Sequence, residues 1–200
     1  MTDAILRRPK EAILTPIARR TPRRVHPLGL TMAGLVPGLG AALAAATGHS
    51  FLAVGLWLLN RLIDGLDGTL ARQQGRQSVL GGYVDLLADF VVYAAVPVGL
   101  AVHHDSRAAW VAVCVLLASF YVNTISWSYL SAIAERRRAV ADDRLTSIEL
   151  PGGLVEGAET VVFFTAMLLL PTWTPVLCWV MAVAVAVTIL QRLAWAVRAL

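Results

Sequence analysis

Apolar residues in this chain gather into six blocks parted by short polar stretches: about Gly29 to Thr47, Phe51 to Leu70, Val79 to Val102, Ala108 to Ile133, Gly153 to Leu170 and Thr174 to Leu193. Each comes close to the ~20 residues a helix needs to cross the hydrocarbon layer. Strand-type alternation is absent, which argues against a membrane barrel. The pattern predicts an all-α integral membrane bundle of six transmembrane helices over residues 27–200, preceded by a short amphipathic N-terminal arm, residues 1–26. Within the arm, Ile13, Leu14 and Ile17 beside Arg19 and Arg20 suit a short helix lying on the inner membrane surface. Pro9, Pro16, Pro22 and Pro27 interrupt it, so only pieces of helix are expected. The arm lacks the short apolar core and small-residue cleavage site of a secretory signal.

Composition agrees with the blocks. Of 200 residues, 58% are hydrophobic and only 15% charged, more apolar surface than a soluble domain of this size can hide. The basic residues are placed unevenly. Arg7, Arg8, Lys10, Arg19, Arg20, Arg23 and Arg24 fill the arm; Arg72 and Arg76 follow the second block, Arg136 to Arg138 and Arg144 the fourth, and Arg192 and Arg198 end the chain. The alternate loops carry only Arg107. By the positive-inside rule both termini are expected in the cytoplasm, and an even number of crossings agrees. Trp110 and Trp173 fall where an outer aromatic belt belongs. The net charge of +4 reads as topology and lipid contact, not nucleic-acid binding, because no aromatic-basic platform or groove-reading motif accompanies it. Cys114 and Cys178 read as small hydrophobes in apolar spans, implying neither a disulfide nor a zinc site.

One feature does not suit lipid. Asp64, Asp67, Asp85 and Asp89 lie in two pairs inside the second and third blocks. A lone carboxylate at mid-bilayer costs roughly 2.5–3.5 kcal/mol by insertion scales. On a helix, Asp64 and Asp67 are about 60° apart and Asp85 and Asp89 about 40°, so each pair shares one face. The short connection Gln73 to Ser78 predicts antiparallel neighbours whose acidic faces meet near the cytoplasmic end. A divalent cation held by oxygen ligands would neutralise such a cage. Arg61, one turn before Asp64, reads as a counter-charge to the acids. Gly68 and Gly81, with Ala71, leave space for a bulky polar ligand, and Arg72 is placed to meet a phosphate. Gly82 reads equally as helix packing. The run from Asp64 to Gly68 lacks the alternating acids and closing Glu of a calcium loop. A cation transporter would show broken helices or repeats about a midplane site, whereas these acids hug one leaflet.

The motif Asp-x2-Asp-Gly-x2-Ala-Arg-x8-Gly-x3-Asp-x3-Asp, standing from Asp64 to Asp89, resembles the signature of the CDP-alcohol phosphotransferases (CDP-alcohol phosphatidyltransferases) at all eight defining positions. The resemblance implies transfer of a phosphatidyl or similar group from a CDP-linked donor to an alcohol, with release of CMP. It implies Asp64, Asp67, Asp85 and Asp89 as ligands of Mg²⁺ or Mn²⁺, with Asp89 also the base that deprotonates the acceptor. Gly68, Ala71, Arg72 and Gly81 correspond to positions lining the CDP pocket, and Ser78 to a donor contact. Thr31, in Pro27-Leu28-Gly29-Leu30-Thr31, matches the donor-facing start of the first span, though relatives often carry Asn or Asp where Leu28 stands. Simple helix capping is the other reading of Thr31.

The acceptor is the open point. Relatives using phosphorylated polyols usually carry Lys or Arg where this chain has Glu156 and Glu159. Those acids would face the acceptor and favour a neutral or cationic alcohol, or else pair with Arg136 to Arg138 or Arg144. Against a cationic acceptor, the arginines after the fourth block, Arg136 and Arg137 among them, could supply the missing acceptor phosphate contacts. The expected activity is phosphatidyl transfer from CDP-diacylglycerol to a small alcohol, such as glycerol 3-phosphate or inositol phosphate, in phospholipid biosynthesis at a bacterial inner membrane. The alternatives are a CDP-aminoalcohol:diacylglycerol phosphotransferase and a non-enzymatic divalent-cation carrier. As relatives often do, the chain would form a homodimer, through small residues around Gly34, Gly38 and Ala42 or through spans three and four.

Overall fold

A computed structural model describes residues 14–22, 24–140 and 152–199, with side chains except at 137–140. No strand occurs among them. The helices are α1 (Pro27–Ala46), α2 (Ser50–Gln74), α3 (Val79–His104), α4 (Arg107–Val140), α5 (Gly157–Leu169) and α6 (Thr174–Ala199), with a 3₁₀ turn at Pro171–Trp173 before α6. A further helical stretch covers 14–20 of the arm. Its Leu14 and Ala18 are buried, and Gln73 Nε2 donates to the Thr15 carbonyl at 3.4 Å. The arm therefore rests on the end of α2; Ile13 and the residues before it lie outside the described residues.

The boundaries follow local chemistry. Pro27 opens α1, where its missing N–H is no loss. Gly75 ends α2 in the left-handed region, φ 62°, and Arg76 N–H donates to the Ala71 carbonyl at 3.0 Å. Ser78 caps α3, its hydroxyl accepting from Gly81 N–H. The fifth apolar block is corrected: α5 starts at Gly157, not Gly153, and has 13 residues. Glu156 and Glu159 form a capping box there. The preceding backbone docks on α6 instead, with Val155 N–H to Thr188 Oγ1 at 3.0 Å and Leu154 N–H to Gln191 Oε1 at 3.1 Å.

α1 packs most extensively, against both α2 and α3, while direct backbone contact between α2 and α3 is sparse. Its small residues permit this. A Cβ on Gly34 would meet Ile63 Cγ2 at 3.0 Å, one on Gly38 would meet Asn60 Nδ2 at 3.0 Å, and one on Gly99 of α3 would run into the Ala42 carbonyl. The stripe Gly34, Gly38, Ala42 is thus consumed inside the chain, correcting its assignment to a dimer contact. Close approach to α1 also holds α2 and α3 apart, so a gap opens between the acid-bearing helices. Side chains bridge it in opposite order along the two helices, Trp57 to Tyr93, Arg61 to Asp89 and Asp64 to Asp85, which makes the pair antiparallel as expected.

The second half pairs α4 with α6, and α5 joins the halves through α2. Trp57, Phe164, Val92, Val96, Leu116, Met167 and Met181 are fully buried at the centre. The outside is apolar too: Val36, Leu43, Tyr121, Val162 and Val183 are exposed, as lipid contact requires. Trp110 and Trp173 are also exposed. Four helices, α1, α3, α4 and α6 with its leading turn, are long and apolar enough to cross a membrane. α2 has the length but carries Arg61, Asp64, Asp67 and Arg72; α5 is short.

Candidate active site

The signature residues converge on the gap between α2 and α3. Asp64 and Asp85 share a hydrogen bond across it, and Asp67 and Asp89 lie within their electrostatic reach. Two carboxyl groups so close repel unless a proton or cation lies between them. Thr31 reaches in from α1, donating its hydroxyl to Asp67 Oδ2 at 2.6 Å, with both residues buried. Arg61 sits one turn deeper, donating Nη2–H to Asp89 Oδ1 at 2.7 Å and lying 3.8 Å from Asp64 Oδ2. The expected counter-charge is therefore present.

The donor set suits a divalent ion. Four carboxylates and a hydroxyl are hard oxygen ligands of the kind Mg²⁺ and Mn²⁺ prefer. Among the described residues Asp85 Oδ1 is buried with no hydrogen-bond partner, an orphan that a cation would satisfy. Among the described residues no three acids close on one point at ligand distance, because Asp67 is turned to Thr31 and Asp89 to Arg61.

Around the acids the surface is open. A Cβ on Gly68 would meet only Arg72 Nη1, at 3.6 Å, one on Gly81 only Ser78 Oγ, and one on Gly82 nothing within 4 Å. Among the described residues no neighbour demands glycine at Gly68 or Gly82. Arg72 is exposed at the end of α2, one Nη2–H reaching Thr69 Oγ1 at 3.3 Å, and Ala71 is half-buried beside it. Ser78 stands across the turn as the α3 cap.

The acids singled out for the acceptor are engaged at the start of α5. Glu156 Oε1 accepts from Gly153 N–H at 3.1 Å, and Glu159 Oε2 accepts from Glu156 N–H at 3.0 Å. Both acids serve the start of α5. Arg136 is exposed on α4; the Arg137 side chain, Arg138 and Arg144 lie outside the described residues. Among the described residues, the charge of Glu156 acts on Arg192 of α6, which is buried and donates to Asn123 Oδ1 at 2.6 Å.

Sequence reasoning missed Asn60, Tyr93, Asn123 and Arg192 as members of polar networks. Asn60 is buried, donates to the Gly34 carbonyl at 2.9 Å and accepts from Arg61. Tyr93 OH accepts from Arg61 Nη1 at 2.9 Å. A signal existed: Asn60 is a polar residue within an apolar block, and Tyr93 lies one helical turn beyond Asp89.

A model of the family "CDP-alcohol phosphatidyltransferase" matches residues 24–190. The chain is 33% identical over 149 residues to Inner membrane protein YnjF of Escherichia coli, covering 74% of this chain and 72% of that protein. It is 31% identical over 202 residues to phosphatidylinositol phosphate synthase of Corynebacterium glutamicum, covering 95% and 86%. Among solved structures, Mycobacterium tuberculosis phosphatidylinositol phosphate synthase with CDP-DAG bound superposes with a TM-score of 0.71 at 27% identity, over 92% of each chain. The same enzyme in complex with manganese and citrate gives 0.71 at 26% identity, over 90% of this chain and 87% of that one. The chain belongs to the CDP-alcohol phosphatidyltransferase family.

Proposed function

We propose that this member of the CDP-alcohol phosphatidyltransferase family moves the phosphatidyl group of CDP-diacylglycerol onto the hydroxyl of a small alcohol, releasing CMP, in phospholipid synthesis. The observation that carries the reading is the gap between α2 and α3, where the four carboxylates lie within electrostatic reach of one another and, among the described residues, Asp85 Oδ1 has no hydrogen-bond partner. A solved relative of the same fold holds CDP-DAG in one structure and manganese in another, which supports the donor and the metal.

Asp64, Asp67, Asp85 and Asp89 would hold Mg²⁺ or Mn²⁺. When bound, the metal supplies neutralisation of the pyrophosphate and of the charge that grows on the leaving CMP. Arg72, at the rim, meets a donor phosphate, and the open backbone at Gly68, Ala71 and Gly81 with Ser78 admits the nucleotide. Thr31 acts through Asp67. Asp89 accepts the acceptor's hydroxyl proton as its oxygen bonds to the phosphatidyl phosphorus; the phosphoanhydride bond breaks, and CMP leaves with the electron pair. Donor and acceptor held side by side raise the effective concentration of a weak nucleophile.

The finer membrane reading is six spans, with α2 and α5 completing the four apolar helices, and both termini in the cytoplasm of a bacterial inner membrane. The basic residues after α2 and α4 support that orientation, and the likeness to an inner membrane protein supports the location. The arm, 1–26, and the span domain, 27–200, are read as distinct parts. A homodimer would use the exposed faces of α3 and α4, where Leu87, Val91, Tyr121 and Ile125 lie.

The test uses the full chain in nanodiscs with CDP-diacylglycerol, Mg²⁺ or Mn²⁺ and a panel of alcohols. Acceptor-dependent CMP release is expected, abolished by EDTA and lowered about 10²- to 10⁴-fold in Asp89→Asn. CMP release only from CDP-aminoalcohol with diacylglycerol reverses the substrate roles; metal flux without CMP makes the chain a carrier.

A further inference from the structure

Arg61 is a guanidinium in the middle of an apolar helix, and every side of it is occupied. Its Nε–H and an Nη2–H donate to Asn60 Oδ1 at 2.9 and 2.7 Å. The other Nη2–H reaches Asp89 Oδ1 at 2.7 Å, and Nη1 donates to Tyr93 OH at 2.9 Å and lies 3.8 Å from Asp64 Oδ2. A guanidinium has five N–H groups; four of them donate to these partners, and Asp64 faces the remaining side as an ion pair. Its carbon also lies 4.9 Å from the Trp57 ring centroid and 5.0 Å from that of Tyr93.

The partners are themselves held. Asn60 is tied to the α1 backbone at Gly34. Trp57 Nε1–H donates to Thr165 Oγ1 at 3.2 Å, and its ring stacks on Phe164 at 5.1 Å. Tyr93 meets Phe164 edge-on at 5.6 Å. Four helices, α1, α2, α3 and α5, thus build a socket for one cation, using the planar fork and the stacking face that lysine lacks. A cation so confined cannot follow a substrate phosphate. It can fix what it touches.

We propose that Arg61 is a positioning residue for Asp89. It takes Oδ1, so that Oδ2 is the oxygen presented to metal and acceptor, and it offsets part of the acids' mutual repulsion when no metal is bound. This inference rests on the function proposed above. It follows that Arg61 opposes divalent binding electrostatically while it aims the base.

The test compares Arg61→Met, Arg61→Lys and Tyr93→Phe in nanodiscs. Mn²⁺ affinity is read from the paramagnetic resonance of the free ion, apparent Tm is measured in EDTA and in Mn²⁺, and kcat and KM are measured for both substrates. Arg61→Met should bind Mn²⁺ about tenfold more tightly, since a competing charge is gone. Its metal-free Tm should fall by several degrees, and the rise on adding Mn²⁺ should widen. Its kcat should drop roughly 10- to 100-fold, with KM for CDP-diacylglycerol unchanged within about twofold. Arg61→Lys should keep the metal-free Tm but not the kcat. Tyr93→Phe should lower kcat a few-fold. Unchanged Mn²⁺ affinity and kcat in Arg61→Met would overturn the proposal, as would a raised donor KM at constant kcat, which marks a substrate ligand. If Arg61→Met does not fold, wild-type kcat in both other variants overturns it. Absence of CMP release from the wild type refutes the enzyme reading alone; Mn²⁺ affinity and metal-free Tm still judge the counter-charge.

Discussion

Replacing Thr31 by Val tests how the acidic site is held. Valine keeps the shape and burial of threonine but turns the hydroxyl, 2.6 Å from Asp67 Oδ2, into a methyl group. Thr31 is 8% and Asp67 5% exposed, so water cannot readily replace the lost donor. A hydrogen bond to a charged group contributes about 1.5–3 kcal/mol net, and the metal-free protein should lose stability of that order. If Asp67 is a metal ligand, Thr31 is its outer partner, and losing such a partner weakens metal binding about 10- to 100-fold. Mn²⁺ titration in nanodiscs and apparent Tm in EDTA measure the two effects separately. Thr31→Ser, which keeps the donor, should restore both. At saturating Mn²⁺ most of the kcat should return, because the metal then orients the carboxylate itself. Wild-type Mn²⁺ affinity and Tm in Thr31→Val would refute the reasoning. A selective rise in KM for CDP-diacylglycerol would instead make Thr31 a donor contact.

Other expectations follow from packing and caps. Gly99→Ala drives a methyl group into the Ala42 carbonyl and should destabilise by about 1–3 kcal/mol, seen as a lower apparent Tm in detergent; an unchanged Tm would mean that α1 and α3 are not pressed together. Glu156→Ala removes a cap and should cost about 1 kcal/mol, whereas the Glu156→Gln/Glu159→Gln pair keeps acceptor oxygens for the same N–H groups and should leave Tm unchanged. Their commitment to α5 also predicts an unaltered acceptor preference in the Gln pair; a switch in CMP release across the alcohol panel would place both acids against the acceptor.

Much of the site was legible because its chemistry is local. Asp64, Asp67, Asp85 and Asp89 share helix faces by spacing alone, and carboxylates in apolar segments are conspicuous when each must be neutralised. Arg61 could be read as a counter-charge for the same reason. The capping box of Glu156 and Glu159 was not legible, since Glu is not a favoured N-cap residue and two acids one turn apart suggest a ligand as readily as a helix start. The glycines divide the same way: spacing shows Gly34 and Gly38 on one face, but not whether that face meets another helix, lipid or a second copy.

The amino-acid sequence by itself determined the helical class, the membrane setting, the antiparallel acid-bearing pair and the family, because hydrophobic block length, charge placement and motif spacing are properties of neighbouring residues. Tertiary structure decided what depends on distant ones: that α1 wedges between α2 and α3, that Thr31 holds Asp67 from 36 residues away, and that Asn60, Trp57 and Tyr93 enclose Arg61. Those contacts arise where helices from separate parts of the chain press together, and their partners are chosen by shape and by the need to satisfy buried polar groups, which no local pattern encodes.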